Sequence, residues 1–86
     1  MNKDLLREKY CAYKEQLFPC YMEMEKESFE EYSFGYFYDD LEKKWKVYIN
    51  KERGIHKIRF IMDSEEEAIE EVNSILDYEI ESRGLI

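Results

Sequence analysis

The sequence predicts an α+β fold, in which a three-stranded antiparallel β-meander packs against an N-terminal and a C-terminal helix. Residues 34–62 are dense in aromatic and β-branched side chains, which favour pleated, half-buried strands. Apolar residues recur at helical spacing on either side of that stretch, within 4–17 and 64–82. The 86 residues have the length of a single small domain, 1–86, with a modest core.

Two short polar breaks divide the central stretch into three predicted strands. These strands are expected at about 34–38, 45–49 and 55–62. Because both connections are short, neighbouring strands should run antiparallel. Gly54 should close the second turn, where a positive φ is often needed.

Alternation along the strands predicts which side chains share a face of the sheet. In the second strand, Trp45, Val47 and Ile49 should face the helices. In the third strand, one face should carry His56, Ile58, Phe60 and Met62. The opposite, solvated face of a one-sided sheet should carry Lys46, Tyr48, Lys57 and Arg59.

The first helix is predicted over 4–17, where apolar residues recur at spacings of four, three and four. Pro19 should end it, because proline disfavours helical geometry in the preceding residue. The last helix should begin at Asp63 or Ser64, with a capping box formed by Ser64 and Glu67, and should run to about Ser82. The predicted core comprises Leu6, Tyr10, Tyr13, Leu17, Trp45, Val47, Ile49, Ile58, Phe60, Ala68, Ile69, Val72, Ile75 and Leu76.

Residues 20–33 have no clean hydrophobic period. They could begin as an irregular extended segment, and 25–32 could form a short helix with Phe29 and Tyr32 turned inward. Five glutamates give the segment a strong negative potential. Two interpretations stay open, a solvated connector and an acidic lip that meets a basic partner.

The formal net charge of −8 is unevenly distributed along the chain. Residues 1–19 carry +1 and 43–62 carry +6, whereas 20–42 carry −7 and 63–86 carry −8. The uncharged runs are too short to span a bilayer, and the charged N-terminal stretch does not resemble a signal peptide. A cytoplasmic protein without membrane contact is therefore expected.

The sequence offers little catalytic chemistry, so we expect no enzyme, cofactor or metal site. It contains no G-x-x-x-x-G-K, G-x-G-x-x-G, H-E-x-x-H or C-x-x-C motif. A nucleophilic pair would need Cys11 or Cys20 beside His56, the only histidine, and no local motif supports that pairing. Free thiols are expected for the two cysteines, although the sequence leaves a disulfide open.

Binding is therefore the expected activity, and three kinds of partner follow from the composition. An acidic domain suits an inhibitor of a basic protein such as a nuclease. An adaptor in a larger complex would use the outer sheet face with Tyr36, Tyr48 and Ile55. Nucleic acid could meet the basic strands, but the acidic remainder of the chain opposes phosphate binding. An exposed edge strand also leaves a homodimer open.

Three segments resemble small immunity proteins of bacterial polymorphic-toxin systems. They are G-Y-F-Y-D-D-L-E-K-K-W-K-V-Y-I-N-K-E-R-G at 35–54, I-R-F at 58–60 and S-E-E-E-A at 64–68. The resemblance covers roughly residues 34–76, and its most specific pieces are W-K-V-Y-I, E-R-G and S-E-E-E-A. It implies a protein that binds a cognate toxin and neutralises it inside the producing cell.

The expected mechanism is occlusion of the toxin's active cleft by acidic side chains of this chain. The resemblance supplies no contact residues, so the candidates come from the acidic clusters alone. They are Glu23, Glu25, Glu27, Glu30, Glu31, Asp39, Asp40, Glu66, Glu67, Glu70 and Asp77.

Overall fold

Two helices and a four-stranded mixed sheet form the α+β fold of the protein. The structure is a computed structural model, and it describes residues 1–52 and 55–85. The elements in chain order are α1 (Lys3–Leu17), β1 (Tyr21–Glu23), β2 (Ser33–Asp39), β3 (Lys44–Asn50), β4 (His56–Met62) and α2 (Glu65–Ser82). The predicted role of Gly54 in the second turn lies outside the described residues.

Both helices are capped at their N-termini by polar side chains. The Asn2 Oδ1 accepts a hydrogen bond from the Leu5 amide at 2.8 Å, and the Ser64 Oγ accepts one from the Glu67 amide at 3.2 Å. The serine half of the predicted capping box is thus confirmed. The Glu67 carboxylate accepts from the Ser64 hydroxyl, whereas a capping box would take it to the Ser64 amide.

The sheet has the strand order β1-β2-β3-β4, so the prediction of three strands was incomplete. Strands β2, β3 and β4 do form the expected antiparallel meander. The additional strand, β1, pairs in parallel with β2 through Tyr21 opposite Ser33 and Met22 opposite Phe34. Its three residues are too few to show a period, which is why the sequence pattern does not reveal it.

Of the two possibilities for 20–33, the extended beginning is found in β1, whereas the short helix over 25–32 does not form. We call residues 24–32, which connect β1 to β2, the cover loop. Phe29, expected to turn inward, is exposed, whereas Ser28 is buried. The loop therefore packs onto the sheet through polar groups.

The core lies between the inner sheet face and the two helices. Its buried members are Leu6, Tyr10, Leu17, Met22, Phe34, Tyr36, Val47, Ala68, Ile69, Val72, Leu76 and Ile80. Eight of these were predicted, and four further predicted residues, Tyr13, Trp45, Ile49 and Ile75, pack against them while half-buried. Ile58 and Phe60 were wrongly assigned to the core, since both are exposed.

A β-bulge in β4 explains the error in the face assignment. Val47 pairs with Phe60, and the next residue, Tyr48, pairs with Ile58, so Arg59 is an extra residue in the ladder. The extra residue reverses the alternation at that point. His56 and Ile58 therefore lie on the outer face, and Lys57, opposite Ile49, lies on the inner one.

Candidate partner-binding surface

The outer face of the sheet is covered at one end by the cover loop, so the predicted solvated face is wrong there. Tyr48 is fully buried, and its hydroxyl donates a hydrogen bond to the Lys26 carbonyl oxygen at 2.7 Å. Burial, with a smaller effect from Glu23, raises the pKa of Tyr48. Tyr36 is also fully buried, but on the inner face, where its hydroxyl donates to Glu65. An adaptor interface through both tyrosines is therefore contradicted.

Asn50 holds the cover loop through its side-chain amide. Its Nδ2 lies 2.6 Å from the Ser28 carbonyl oxygen, 3.1 Å from the Glu30 carbonyl oxygen and 2.8 Å from the Ser33 Oγ. Two carbonyl acceptors fix the orientation of this amide, because only the NH₂ group can donate to them. The loop that carries several candidate glutamates is thus anchored to the end of β3.

His56 adds a second anchor beside Asn50. Its Nδ1 lies 2.6 Å from the Asn50 Oδ1, and its Nε2 lies 2.9 Å from a Glu27 carboxylate oxygen. The Asn50 Oδ1 can only accept, so the His56 Nδ1 donates to it, and the Nε2 is engaged by the Glu27 carboxylate. Both ring nitrogens are thus occupied by partners within the protein. The geometry of His56 is that of a structural clamp.

The two cysteines lie in different clefts, neither of which includes His56. Cys20 lines a cleft of about 290 Å³ with an apolar floor that includes Phe34 and Ile75. Cys11 lines a second cleft, also of about 290 Å³, between α1 and β1. Both are free thiols, as predicted. Burial, together with Glu79, raises the pKa of Cys20, which disfavours its thiolate.

Most of the candidate carboxylates in the first half of the chain are engaged within the protein. Glu25 pairs with Lys3 at 3.0 Å, Glu27 bonds His56, and Glu30 accepts from the Tyr21 hydroxyl. Asp39 pairs with Lys46 at 2.7 Å and also accepts from the backbone amides of Leu41 and Glu42. These donors lower the pKa of Asp39. Because two of them are backbone amides of the following turn, Asp39 is a turn-forming residue.

Among the described residues, three candidates from these clusters form no side-chain hydrogen bond or ion pair. Glu31 and Asp40 are exposed, and Glu23 is half-buried in β1. They lie on separate elements, at the end of the cover loop, in the β2–β3 turn and in β1. The structure therefore does not gather the predicted acidic residues of this half into one surface.

The solvent-facing side of α2 carries a row of exposed polar side chains that is acidic at both ends. Its exposed residues, at helical spacings of three and four, are Glu67, Glu70, Ser74, Tyr78 and Glu81, with Glu66 beside them. Of the predicted residues in α2, Glu66 and Glu67 are exposed. Glu70 is exposed and meets the N-terminal amine at 2.9 Å, whereas Asp77 is half-buried and pairs with Lys9.

Tyr78 lies toward the C-terminal end of this row, between Ser74 and Glu81, and is absent from the residues predicted from the sequence. The side chain is 68% exposed, which is unusual for an aromatic ring on a helix. The spacing of 70, 74, 78 and 81 already places it on the polar side of the helix. We call residues 66, 67, 70, 74, 78 and 81 the α2 acidic face.

The basic residues considered for nucleic-acid binding do not form one platform. Lys46 is paired with Asp39 and Glu42, and Tyr48 is buried beneath the cover loop. Lys57 and Arg59 are exposed on β4. The aromatic side chain that would stack a base is thus inaccessible on the face that was expected to carry it.

Comparison with known proteins adds no family to this description. No family model, curated protein or solved structure matches the chain. Among the residues described, no group of three or more His, Cys, Asp and Glu side chains is arranged to hold a metal ion. Within the same residues, neither helix has the length and apolarity needed to cross a membrane.

Proposed function

We propose that the protein is an immunity protein, which binds a cognate bacterial toxin in the cytoplasm and neutralises it by covering its active cleft. The observation that carries the proposal is the α2 acidic face, in which the exposed ring of Tyr78 shares one side of the helix with four exposed carboxylates. Interfaces are often centred on tyrosine, with charged groups at the rim. The protein acts by binding, without catalysis.

The charge of the protein suits a toxin with a basic cleft, such as a nuclease. A net charge of −8 accelerates encounter with a positively charged partner and repels competing acidic proteins. Carboxylates that occupy a phosphate-binding cleft would exclude the nucleic acid by charge as well as by volume. Nucleic acid itself is disfavoured as a partner of this chain by the same field.

Ion pairs within the protein distinguish the candidate contact residues from one another. Glu25, Glu27 and Asp39 have partners within the protein, and a toxin would have to displace these partners. Within the described part of the chain, Glu66 and Glu81 form no ion pair or side-chain hydrogen bond, so they need no such exchange. We therefore expect Glu66, Tyr78 and Glu81 to contribute more to affinity than the acidic residues of the cover loop.

Identification of the partner is the first test of the proposal. The tagged protein is used to recover bound proteins from native lysate, and mass spectrometry identifies them. Cells are then challenged with the product of the adjacent gene, with and without this protein. A stoichiometric toxin partner and rescue of growth would support the proposal. An adjacent toxin that kills protected and unprotected cells equally would contradict it.

Paired variants test the site within the same assay. Glu66→Gln combined with Glu81→Gln removes two charges from the α2 acidic face, while Glu8→Gln combined with Glu15→Gln removes two exposed charges from α1. Both variants have the same net charge. Loss of protection by the α2 pair alone would locate the interface, whereas equal effects would indicate that only total charge matters.

A further inference from the structure

Strand β4 is an edge of the sheet with an unusually exposed apolar surface. One side of its backbone pairs with β3, and no other strand of the described residues pairs with it. Residues 57–61 are all exposed. The exposed fractions are 36% for Ile58, 40% for Phe60 and 58% for Ile61, which is high for such side chains within a strand.

The bulge distributes these apolar side chains over both faces of the edge. Phe60 lies opposite Val47 on the inner face, whereas Ile58 lies opposite Tyr48 and Ile61 opposite Lys46 on the outer face. A strand added along β4 would therefore cover apolar surface on both sides as well as satisfy the free backbone groups. This is the arrangement that β-strand addition uses.

The charge of the β4 edge indicates whether a second copy of this chain or a segment of another protein would pair with it. Residues 55–62 contain Lys57 and Arg59 but no carboxylate, in a protein of net charge −8. Among the described residues, neither cation forms an ion pair, while the neighbouring Lys44 and Lys46 both do. The edge is thus a locally basic strip on an acidic molecule.

A second copy of the chain is a poor occupant of this edge. Antiparallel pairing of β4 with itself, centred on its bulge, would bring Arg59 against Arg59 of the other copy. Like charges directly opposite each other destabilise a strand pair, and charged residues and bulges are the usual protection of an edge against self-association. The same two cations would favour a strand that brings carboxylates.

We propose that the β4 edge binds an extended segment of a partner protein that carries apolar and acidic side chains, and that the segment becomes a fifth strand of the sheet. Its carboxylates would meet Lys57 and Arg59, and its apolar side chains would cover Ile58 and Ile61. The β4 edge and the α2 acidic face share no residue and carry opposite charge, so this proposal does not depend on the function proposed above.

A designed peptide tests the proposal on the full-length protein. The probe is an eight-residue peptide with blocked ends, in which valine alternates with glutamate, and the control peptide has lysine in place of each glutamate. Binding is followed by the amide chemical shifts of the ¹⁵N-labelled protein. We expect saturable shifts centred on β4, and we expect N-methylation of alternate peptide residues to abolish them, because it removes the donors for the ladder.

Two charge-reversal variants with equal net charge complete the test. Arg59→Glu should weaken binding of the glutamate peptide about tenfold, while Lys14→Glu, on the exposed face of α1, should leave it unchanged. Equal binding of the lysine peptide, shifts centred away from β4, or no saturation at millimolar peptide would overturn the proposal. Dimerisation of the unliganded protein through β4 would overturn it as well, because a second copy would then be the occupant.

Discussion

Asn50 and His56 face each other across the β3–β4 ladder, and together they clamp the cover loop to the sheet. The Asn50 Oδ1 accepts from the His56 Nδ1 at 2.6 Å, while its Nδ2 donates to carbonyl oxygens of the loop. The His56 ring also lies 4.3 Å, centroid to centroid, from that of Phe29. Polar groups thus fix the loop together with the packing of Met24 on the core and of Phe29 on His56.

Asn50→Ala should lower the free energy of unfolding by about 3 kcal/mol, because it leaves several buried polar groups without partners. Urea unfolding followed by circular dichroism measures this loss. The control is Asn73→Ala, which removes a half-buried amide that bonds Lys9 on the surface of α2, and it should cost less than about 1 kcal/mol. Equal losses in the two variants would contradict a clamping role for Asn50.

Gly35 is required where β1 meets β2. A Cβ at this position would lie 2.0 Å from the Glu23 carbonyl oxygen, so one strand would have to move. Gly35→Ala should therefore destabilise the protein by about 3 kcal/mol and expose the amides of β1 to hydrogen exchange.

Gly84→Ala is the matched control for that substitution. A Cβ at Gly84 meets no atom within 4 Å, but φ is +69°, so we expect a cost of about 1 kcal/mol from backbone strain alone. Hydrogen exchange at β1 should stay unchanged in this variant. Opened β1 amides in both variants would show that the close approach at Gly35 is not the cause.

Alkaline pH should destabilise the protein partly through Tyr48. Burial raises its pKa above the ordinary value near 10, so the unfolded chain releases this proton at a lower pH than the folded protein. The stabilisation is present in full below about pH 10 and is lost as the pH rises beyond that value. Urea midpoints between pH 7 and 11 measure this slope.

Tyr48→Phe should reduce the loss of stability at alkaline pH. The variant loses the bond to the Lys26 carbonyl oxygen and about 1 kcal/mol at pH 7, but it should lose less on going to pH 11 than the unmodified protein. Tyr78→Phe, at an exposed position, should change neither value. An alkaline slope that Tyr48→Phe leaves unchanged would contradict the role of this hydroxyl.

Periodicity alone predicted both helices, the meander and much of the core, since those elements bury one continuous apolar face. Periodicity failed where the position of a side chain depends on an irregular feature of the fold. The bulge at Arg59 reverses the alternation of β4, and the cover loop turns Tyr48 from an outer residue into a buried one. Neither event leaves a local signal, because each depends on pairing with a distant strand or loop.

The ion pairs of the candidate carboxylates could not be predicted from the sequence for the same reason. The acidic runs are visible in the sequence, but their partners are not. Glu25 pairs with Lys3, Glu27 with His56, and Asp39 with Lys46. Those partners come from other elements and meet only in the fold. Tyr78, in contrast, could have been found, because its position follows from the same helical spacing that predicted the polar side of α2.

Association with the proposed toxin partner should be fast at low salt and slower as ionic strength rises, because salt screens the charges of the α2 acidic face beyond about one Debye length. Stopped-flow rates between about 0.02 and 0.5 M NaCl measure the dependence. Glu66→Gln combined with Glu81→Gln should flatten the slope more than Glu8→Gln combined with Glu15→Gln. Tyr78→Ala should raise the dissociation rate and leave the salt slope unchanged, since it removes contact area without charge. An association rate indifferent to salt would exclude electrostatic steering by this face.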